Sequence, residues 1–157
     1  MYHKHHTKGI VVGSREDGLD SKRINIFTEN FGLINGKVQG SRKLNSKLRS
    51  ASQDFTLGEF SLVRGKNGWK VVSVRGDSNL FEDLRNSKNK LRAGVNVLNL
   101  LKKLAPEEAR LNDEVGQEST PSLFDIVKNF LDFILNCEED LIILAECLVL
   151  IRILNNL

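Results

Sequence analysis

Short runs rich in Val, Ile and Phe alternate with turn residues through the first half of the chain. These runs cover residues 9–14, 22–28, 32–39, 56–64 and 69–75. In the last two runs apolar and polar positions alternate, with Phe60, Leu62, Val72 and Val74 on the apolar side. Such alternation is typical of antiparallel strands with one buried face. Asn67-Gly68 lies between them and favours a two-residue hairpin turn. The pattern predicts five β-strands.

The stretch between the third and fourth runs has a different pattern. Residues 41–51 are polar and basic, and Leu44, Leu48 and Ala51 are spaced as on one face of a short helix. Five strands with a helix between the third and fourth give the element order of an OB-fold, a partly open barrel that often binds oligonucleotides. We therefore predict a five-stranded OB-fold barrel over residues 1–78.

From residue 79 onward the hydrophobic spacing is helical. One helix, which Pro106 should end, has an apolar face made of Leu91, Val95, Leu98 and Leu101 or Leu104. A second has Thr120 as its N-cap and Pro121 at its first position. Its apolar stripe consists of Leu123, Phe124, Val127, Phe130, Leu131 and Ile134.

A third predicted helix, over residues 139–155, is apolar on nearly every side. A helix of this kind is normally buried inside something larger. We therefore expect residues 79–157 to form an incomplete all-α domain, which further chain or a partner would complete. The fold class expected for the whole sequence is α+β.

Charge divides the chain at the same place as the hydrophobic pattern. Residues 1–76 carry 14 Lys and Arg against 6 Asp and Glu, whereas residues 77–157 carry 9 against 14. The formal net charge of +3 therefore conceals a basic half and an acidic half. A polyanion is the expected partner of the basic half.

Motifs for catalysis and for metal binding are missing from the sequence. It contains no phosphate-binding loop, nucleophile elbow, zinc-protease motif or paired carboxylates. Cys137 and Cys147 lack zinc-ligand spacing, and we expect them to be buried free thiols. The three histidines, His3, His5 and His6, are expected to belong to a frayed polar leader. We predict a protein that is not an enzyme and needs no cofactor or metal.

The basic residues of the predicted barrel form two clusters. Lys and Arg supply contacts to phosphates, and an exposed aromatic residue offers a stacking surface for bases. Next to the second cluster, Trp69 is either such a surface or part of the core. The candidate nucleic-acid-binding residues are Lys37, Arg42, Lys43, Lys47 and Arg49 in the first cluster, and Arg64, Lys66, Trp69 and Lys70 in the second.

Several segments also resemble the N-terminal domain of the bacterial recombination mediator RecO. They are the segments 7–12, 15–16, 26–33, 40–43 and 46–49, followed by Phe55. The similarity covers residues 5–76 well and continues more loosely through the helices. The cysteine cluster with which some members bind zinc has no counterpart here.

The resemblance implies an OB-fold, a helical domain after it, and a cytoplasmic, nucleoid-associated role in recombinational DNA repair. Members bind single- and double-stranded DNA, anneal complementary strands and act with RecR. They also engage the tail of the single-stranded DNA-binding protein and help load RecA. The tail contact depends on the helical domain.

Three hypotheses for function follow. The first is a non-enzymatic DNA-binding recombination mediator. The second is an OB-fold RNA-binding factor, because charge and fold would look much the same. The third is a protein-interaction module in which the apolar helices matter and the charge of the barrel is incidental.

Overall fold

The computed structural model describes residues 3–43, 46, 48–105 and 122–156. Its strands are β1 (Lys4–Asp17), β2 (Ser21–Thr28), β3 (Gly32–Val38), β4 (Thr56–Gly65) and β5 (Gly68–Asn79). They form a closed barrel in the order β1-β2-β3-β5-β4, with β4 pairing back onto β1. Every pairing is antiparallel except a short parallel one between β3 and β5. The predicted five-stranded OB-fold barrel is confirmed, and helices follow it.

The helices begin with a short one between β3 and β4 and continue after β5. They are α1 (Leu48–Ala51), α2 (Leu80–Leu84), α3 (Lys88–Leu104), α4 (Leu123–Asn136) and α5 (Ile142–Asn155), with a 3-10 turn at Glu139–Leu141. The α+β class is therefore confirmed. The N-cap of α4 is Ser122, whose hydroxyl accepts a hydrogen bond from the backbone of Asp125, so the prediction of Thr120 was wrong. Pro106, Thr120 and Pro121 lie outside the described residues.

The wall formed by β1, β2 and β3 carries buried apolar residues on both of its faces. Its inner face belongs to the barrel core, which comprises Val11, Ile24, Ile26, Phe31, Ile34, Val38, Phe60, Leu62, Trp69 and Val71. Its outer face contributes Ile10, Val12, Phe27 and Leu33 to a second core shared with α2 to α5. Along β1 successive side chains alternate between the two faces, so Ile10 and Val12 point outward and Val11 points inward. The helices therefore pack directly on the barrel wall.

Two predicted apolar faces differ from the structure. In α3, Val95 is 37% exposed and Leu104 is also exposed, whereas Ala93 and Gly94 are buried. The buried face passes through small residues because α3 packs closely: a Cβ on Gly94 would lie 3.2 Å from the ring of Phe55. In β5, Val72 is exposed, and Trp69 and Val71 occupy the inner face instead.

The polar N-terminal segment is a strand and not the frayed leader that its composition predicts. Lys4, His5 and His6 pair with residues 61–63 of β4. The ring of His5 makes edge contacts with Phe31 and Trp69, and His6 Nδ1 lies 3.1 Å from the Ser61 hydroxyl. The prediction was wrong because strand pairing uses backbone groups, whatever the polarity of the side chains.

Helix α5 is less buried than its composition predicts. Within the described part of the chain, its buried residues are Ile142, Val149 and Ile153. Ile143, Leu144, Leu148, Ile151 and Leu154 are all more than half exposed. Cys147, also on α5, is exposed rather than buried, and both cysteines are free thiols. None of the described helices combines the length and the hydropathy needed to span a bilayer.

Candidate nucleic-acid interface

One residue from each of the two predicted basic clusters meets the other where β3 pairs with β5. In this parallel pairing Lys37 is opposite Lys70, and Gly36 is opposite Trp69. Directly opposite residues project from the same face of a sheet, so both lysines lie on the outer surface. Residues from separate parts of the sequence thus form one cationic site.

The cationic site continues across β2 onto β1. Arg23 pairs with Lys37, and Arg15 pairs with Arg23. We call the four residues Arg15, Arg23, Lys37 and Lys70 the basic row. Because neighbouring strands lie about 4.8 Å apart, the row extends over about 14 Å. Sequence reasoning missed Arg15 and Arg23, although the turn at residues 18–20 sets the hairpin register that places them opposite each other.

One carboxylate lies within the basic row. Asp17 Oδ2 is 3.1 Å from Lys37 Nζ and 3.3 Å from Arg23 Nε. The hydrogen bond from Lys37 is the main cause that lowers the pKa of the Asp17 carboxyl below its ordinary value, and the positive charges of Lys37 and Arg23 lower it further. Asp17 is therefore ionised at neutral pH and offsets part of the charge of the row.

Replacing Asp17 with Asn should strengthen the binding of a polyanion. The substitution leaves a similar shape but releases Lys37 and Arg23, so we expect severalfold tighter binding of single-stranded DNA at low salt. The slope of log K against log[salt] should become more negative by about 0.7 for each added phosphate contact. Fluorescence anisotropy with a labelled oligonucleotide measures both quantities.

The pH dependence of this effect follows from the lowered pKa of Asp17. The stabilising ion pairs are complete above the ordinary carboxyl pKa and are lost only as the pH falls through the lower value of the folded state. The difference between Asp17→Asn and the parent should therefore stay constant between about pH 6 and pH 8. Equal or weaker binding by a folded Asp17→Asn variant would show that Asp17 orders the row instead of masking it.

Arg42 has partners within the protein. Its Nη1 is 3.3 Å from a carboxylate oxygen of Glu16 and donates a hydrogen bond to the backbone oxygen of Gly18. The chain after β3 is thereby tied to the turn between β1 and β2. Lys43 and Arg49 are exposed, and Lys47 lies outside the described residues.

The hairpin between β4 and β5 carries the second cluster. A hairpin turn forms here, but its two residues are Lys66 and Asn67 rather than the predicted Asn67 and Gly68. Gly68 begins β5 opposite Gly65, at a φ of 98°, a conformation that favours glycine. Lys66 and Lys70 are exposed, and the Arg64 guanidinium lies 5.6 Å from the centre of the Trp69 ring. The hairpin therefore presents cations at the rim of the barrel.

Trp69 does not offer the exposed stacking surface that is one of its two sequence interpretations. Only 4% of the residue is exposed, and its ring packs against Phe31 and His5 inside one end of the barrel. The stacking interpretation is wrong because Trp69 alternates with Lys70 and therefore faces inward. Its place in the core makes it a fluorescent reporter of barrel packing.

The described residues hold no group of three or more His, Cys, Asp or Glu side chains that could bind a metal ion. The chemistry available at the basic row is charge and hydrogen-bond donation. Both suit phosphate oxygens, and neither reads base edges in a defined pattern.

Comparison with known families agrees with this geometry. The family model described as Recombination protein O N terminal matches residues 1–75, which include most of the barrel. The N-terminal region of this chain is therefore similar to the N-terminal domain of RecO proteins. The resemblance seen in the sequence is thereby confirmed, and the basic row lies within the matched RecO region.

Curated RecO relatives extend the similarity into the helices. The DNA repair protein RecO of Clostridium novyi is 27% identical over 140 residues, which cover 89% of this chain and 51% of the relative. That of Alkaliphilus metalliredigens is 28% identical over 109 residues, or 69% of this chain and 44% of the relative. That of Acetivibrio thermocellus is 30% identical over 95 residues, or 60% and 38%. The chain spans about half the length, or less, of these relatives.

Proposed function

We propose that this chain binds DNA by its phosphate backbone, without catalysis, as part of recombinational repair. The proposal rests on the meeting of Lys37 and Lys70 across the β3–β5 pairing, since this pairing places one cation of each predicted cluster side by side. The names of the relatives, all DNA repair proteins, support the choice of DNA. The expected contacts come from the basic row together with Lys43, Arg49 and Lys66.

Binding through the backbone predicts a steep dependence on salt and little dependence on base sequence. If about five cations contact phosphates of a single strand, log K should fall with log[salt] with a slope of about −3.5. Titrations of labelled oligothymidylate and of a mixed-sequence strand at several salt concentrations measure the slope. A slope near zero, or affinities that differ widely between the two sequences, would contradict the proposal.

A competition experiment shows whether the protein prefers DNA or RNA. Unlabelled single-stranded DNA and RNA of equal length and sequence are titrated against a bound, labelled DNA strand. The proposal expects DNA to compete at least as well as RNA. Consistently tighter binding of RNA would favour an RNA-binding factor with the same barrel.

The finer parts of the proposal concern strand annealing and partners. We propose that the chain anneals complementary strands coated with single-stranded DNA-binding protein, and that it acts with RecR in loading RecA. An annealing assay on coated strands, with and without RecR, tests the barrel and the partner contacts together. Annealing of bare strands but not of coated strands would restrict the function to DNA binding by the barrel.

A further inference from the structure

A polar pocket lies where the barrel meets α3, at the end of the basic row nearest the helices. It has a volume of about 460 Å³. Its charged and amide side chains are Arg15, Arg23, Asn25, Asn35 and Lys102. Three cations from β1, β2 and α3 therefore converge on one concavity, and none of its lining residues is Asp or Glu.

The position of Lys102 connects the helices with the barrel. Its Nζ would lie 2.8 Å from a Cβ placed on Gly13, so the ammonium rests against the backbone of β1. The missing side chain at Gly13 leaves the space that the ammonium occupies. Lys102 is thereby held on the barrel side of α3, although it belongs to the acidic half of the sequence.

Hydrogen bonds position the other polar groups of the pocket. Asn35 Nδ2 donates to Asn25 Oδ1 at 2.6 Å, and Asn35 Oδ1 lies 3.4 Å from Arg23 Nη1. Asp17 contacts Arg23 at Nε, on the other side of the guanidinium from this amide pair. The pocket thus combines ordered amides with three cations, a donor set suited to phosphate oxygens.

We propose that this pocket holds a phosphodiester of the same strand that crosses the basic row. The inference rests on the proposed function and deepens it, because it makes α3 part of the nucleic-acid site. A strand running from Lys70 across Lys37 and Arg23 reaches Arg15 and Lys102 at the end of the row. The partner is thus a continuous strand and not a free phosphate or a mononucleotide.

Lysine footprinting on the full chain tests the proposal without any substitution. The protein is acetylated with and without an oligothymidylate of about 20 nucleotides, longer than the usual 4–16-nucleotide site of an OB-fold. Fragment-ion mass spectrometry then separates Lys102 from Lys103, its exposed neighbour on α3. We expect the strand to protect Lys102, Lys37 and Lys70 and to leave Lys103 reactive.

The outcomes separate the two proposals. Protection of Lys37 and Lys70 with Lys102 still reactive would overturn the pocket and leave the proposed function standing. Failure to protect any of the three would overturn both. Protection of Lys102 by thymidine monophosphate alone, to the same degree as by the strand, would identify a site for small phosphates and overturn the continuous path.

Matched charge reversals supply a second measurement. Lys102→Glu and Lys103→Glu change the net charge equally, so long-range electrostatics should weaken binding similarly in both. We expect the affinity of Lys102→Glu for oligothymidylate to be about tenfold lower than that of Lys103→Glu, because Lys102→Glu also removes a charge-assisted contact. Unchanged Trp69 fluorescence would show that the barrel is intact. Equal affinities of the two variants would overturn the proposal.

Discussion

Reversing both Lys37 and Lys70 to glutamate is expected to reduce the affinity for single-stranded DNA about a hundredfold or more. The two residues face each other across the only parallel pairing described in the barrel, so their replacement puts two anions at the centre of the proposed path. Each charge-assisted contact contributes about 1.5–3 kcal/mol, and about 1.4 kcal/mol corresponds to a factor of ten. Fluorescence anisotropy at fixed salt measures the loss.

A matched control makes this test specific. Lys88 and Lys103 are exposed residues of α3 outside the basic row, and their double reversal to glutamate changes the net charge by the same amount. We expect that variant to lose only a few-fold in affinity, through long-range electrostatics. Equal losses in the two double variants would mean that net charge, and not the barrel surface, governs binding.

Replacing Phe124 with Ala is expected to destabilise the packing of the helices on the barrel by about 3–5 kcal/mol. Phe124 is 2% exposed, and its ring centre lies 6.0 Å from that of Phe27 on the outer face of β2. Removing the ring leaves a cavity between α4 and the barrel wall. Chemical denaturation followed by far-ultraviolet circular dichroism reports the loss of helix.

The same titration, followed by Trp69 fluorescence, reports the barrel separately. Since Trp69 belongs to the inner core, the barrel transition should shift less than the helical one. Phe133→Ala is the matched control, because Phe133 lies on the same helix and is 48% exposed. If Phe133→Ala destabilised the protein as much as Phe124→Ala, the packing of Phe124 on the wall would not be the cause.

The sequence predicts the barrel well because local patterns specify most of it. Period-two alternation marks β4, and Asn67-Gly68 specifies its hairpin with β5. The pairing of Lys4–His6 with β4 has no such signal, since backbone hydrogen bonds do not depend on polar or apolar side chains. The buried face of α3 was misassigned in part because Ala93 and Gly94 contribute close packing rather than hydropathy.

The sequence alone identifies only part of the candidate site. Charge alone finds Lys37 and Lys70, but their meeting depends on a parallel pairing between strands distant in sequence. Arg15 and Arg23 become neighbours through the hairpin register, which a count of charges does not consider. Lys102 belongs to the acidic half, so its contact with β1 follows from helix packing alone.

The parallel pairing of β3 with β5 also has a consequence for folding. The chain must close over the intervening residues 39–67 before Lys37 and Lys70 can become neighbours. Contacts between such distant parts of a chain form slowly. In the unfolded chain the two groups of cations are therefore separate, and only the closed barrel joins them into one site. Affinity for a polyanion should accordingly appear late during refolding, together with the burial of Trp69, and not in proportion to the strand content already formed.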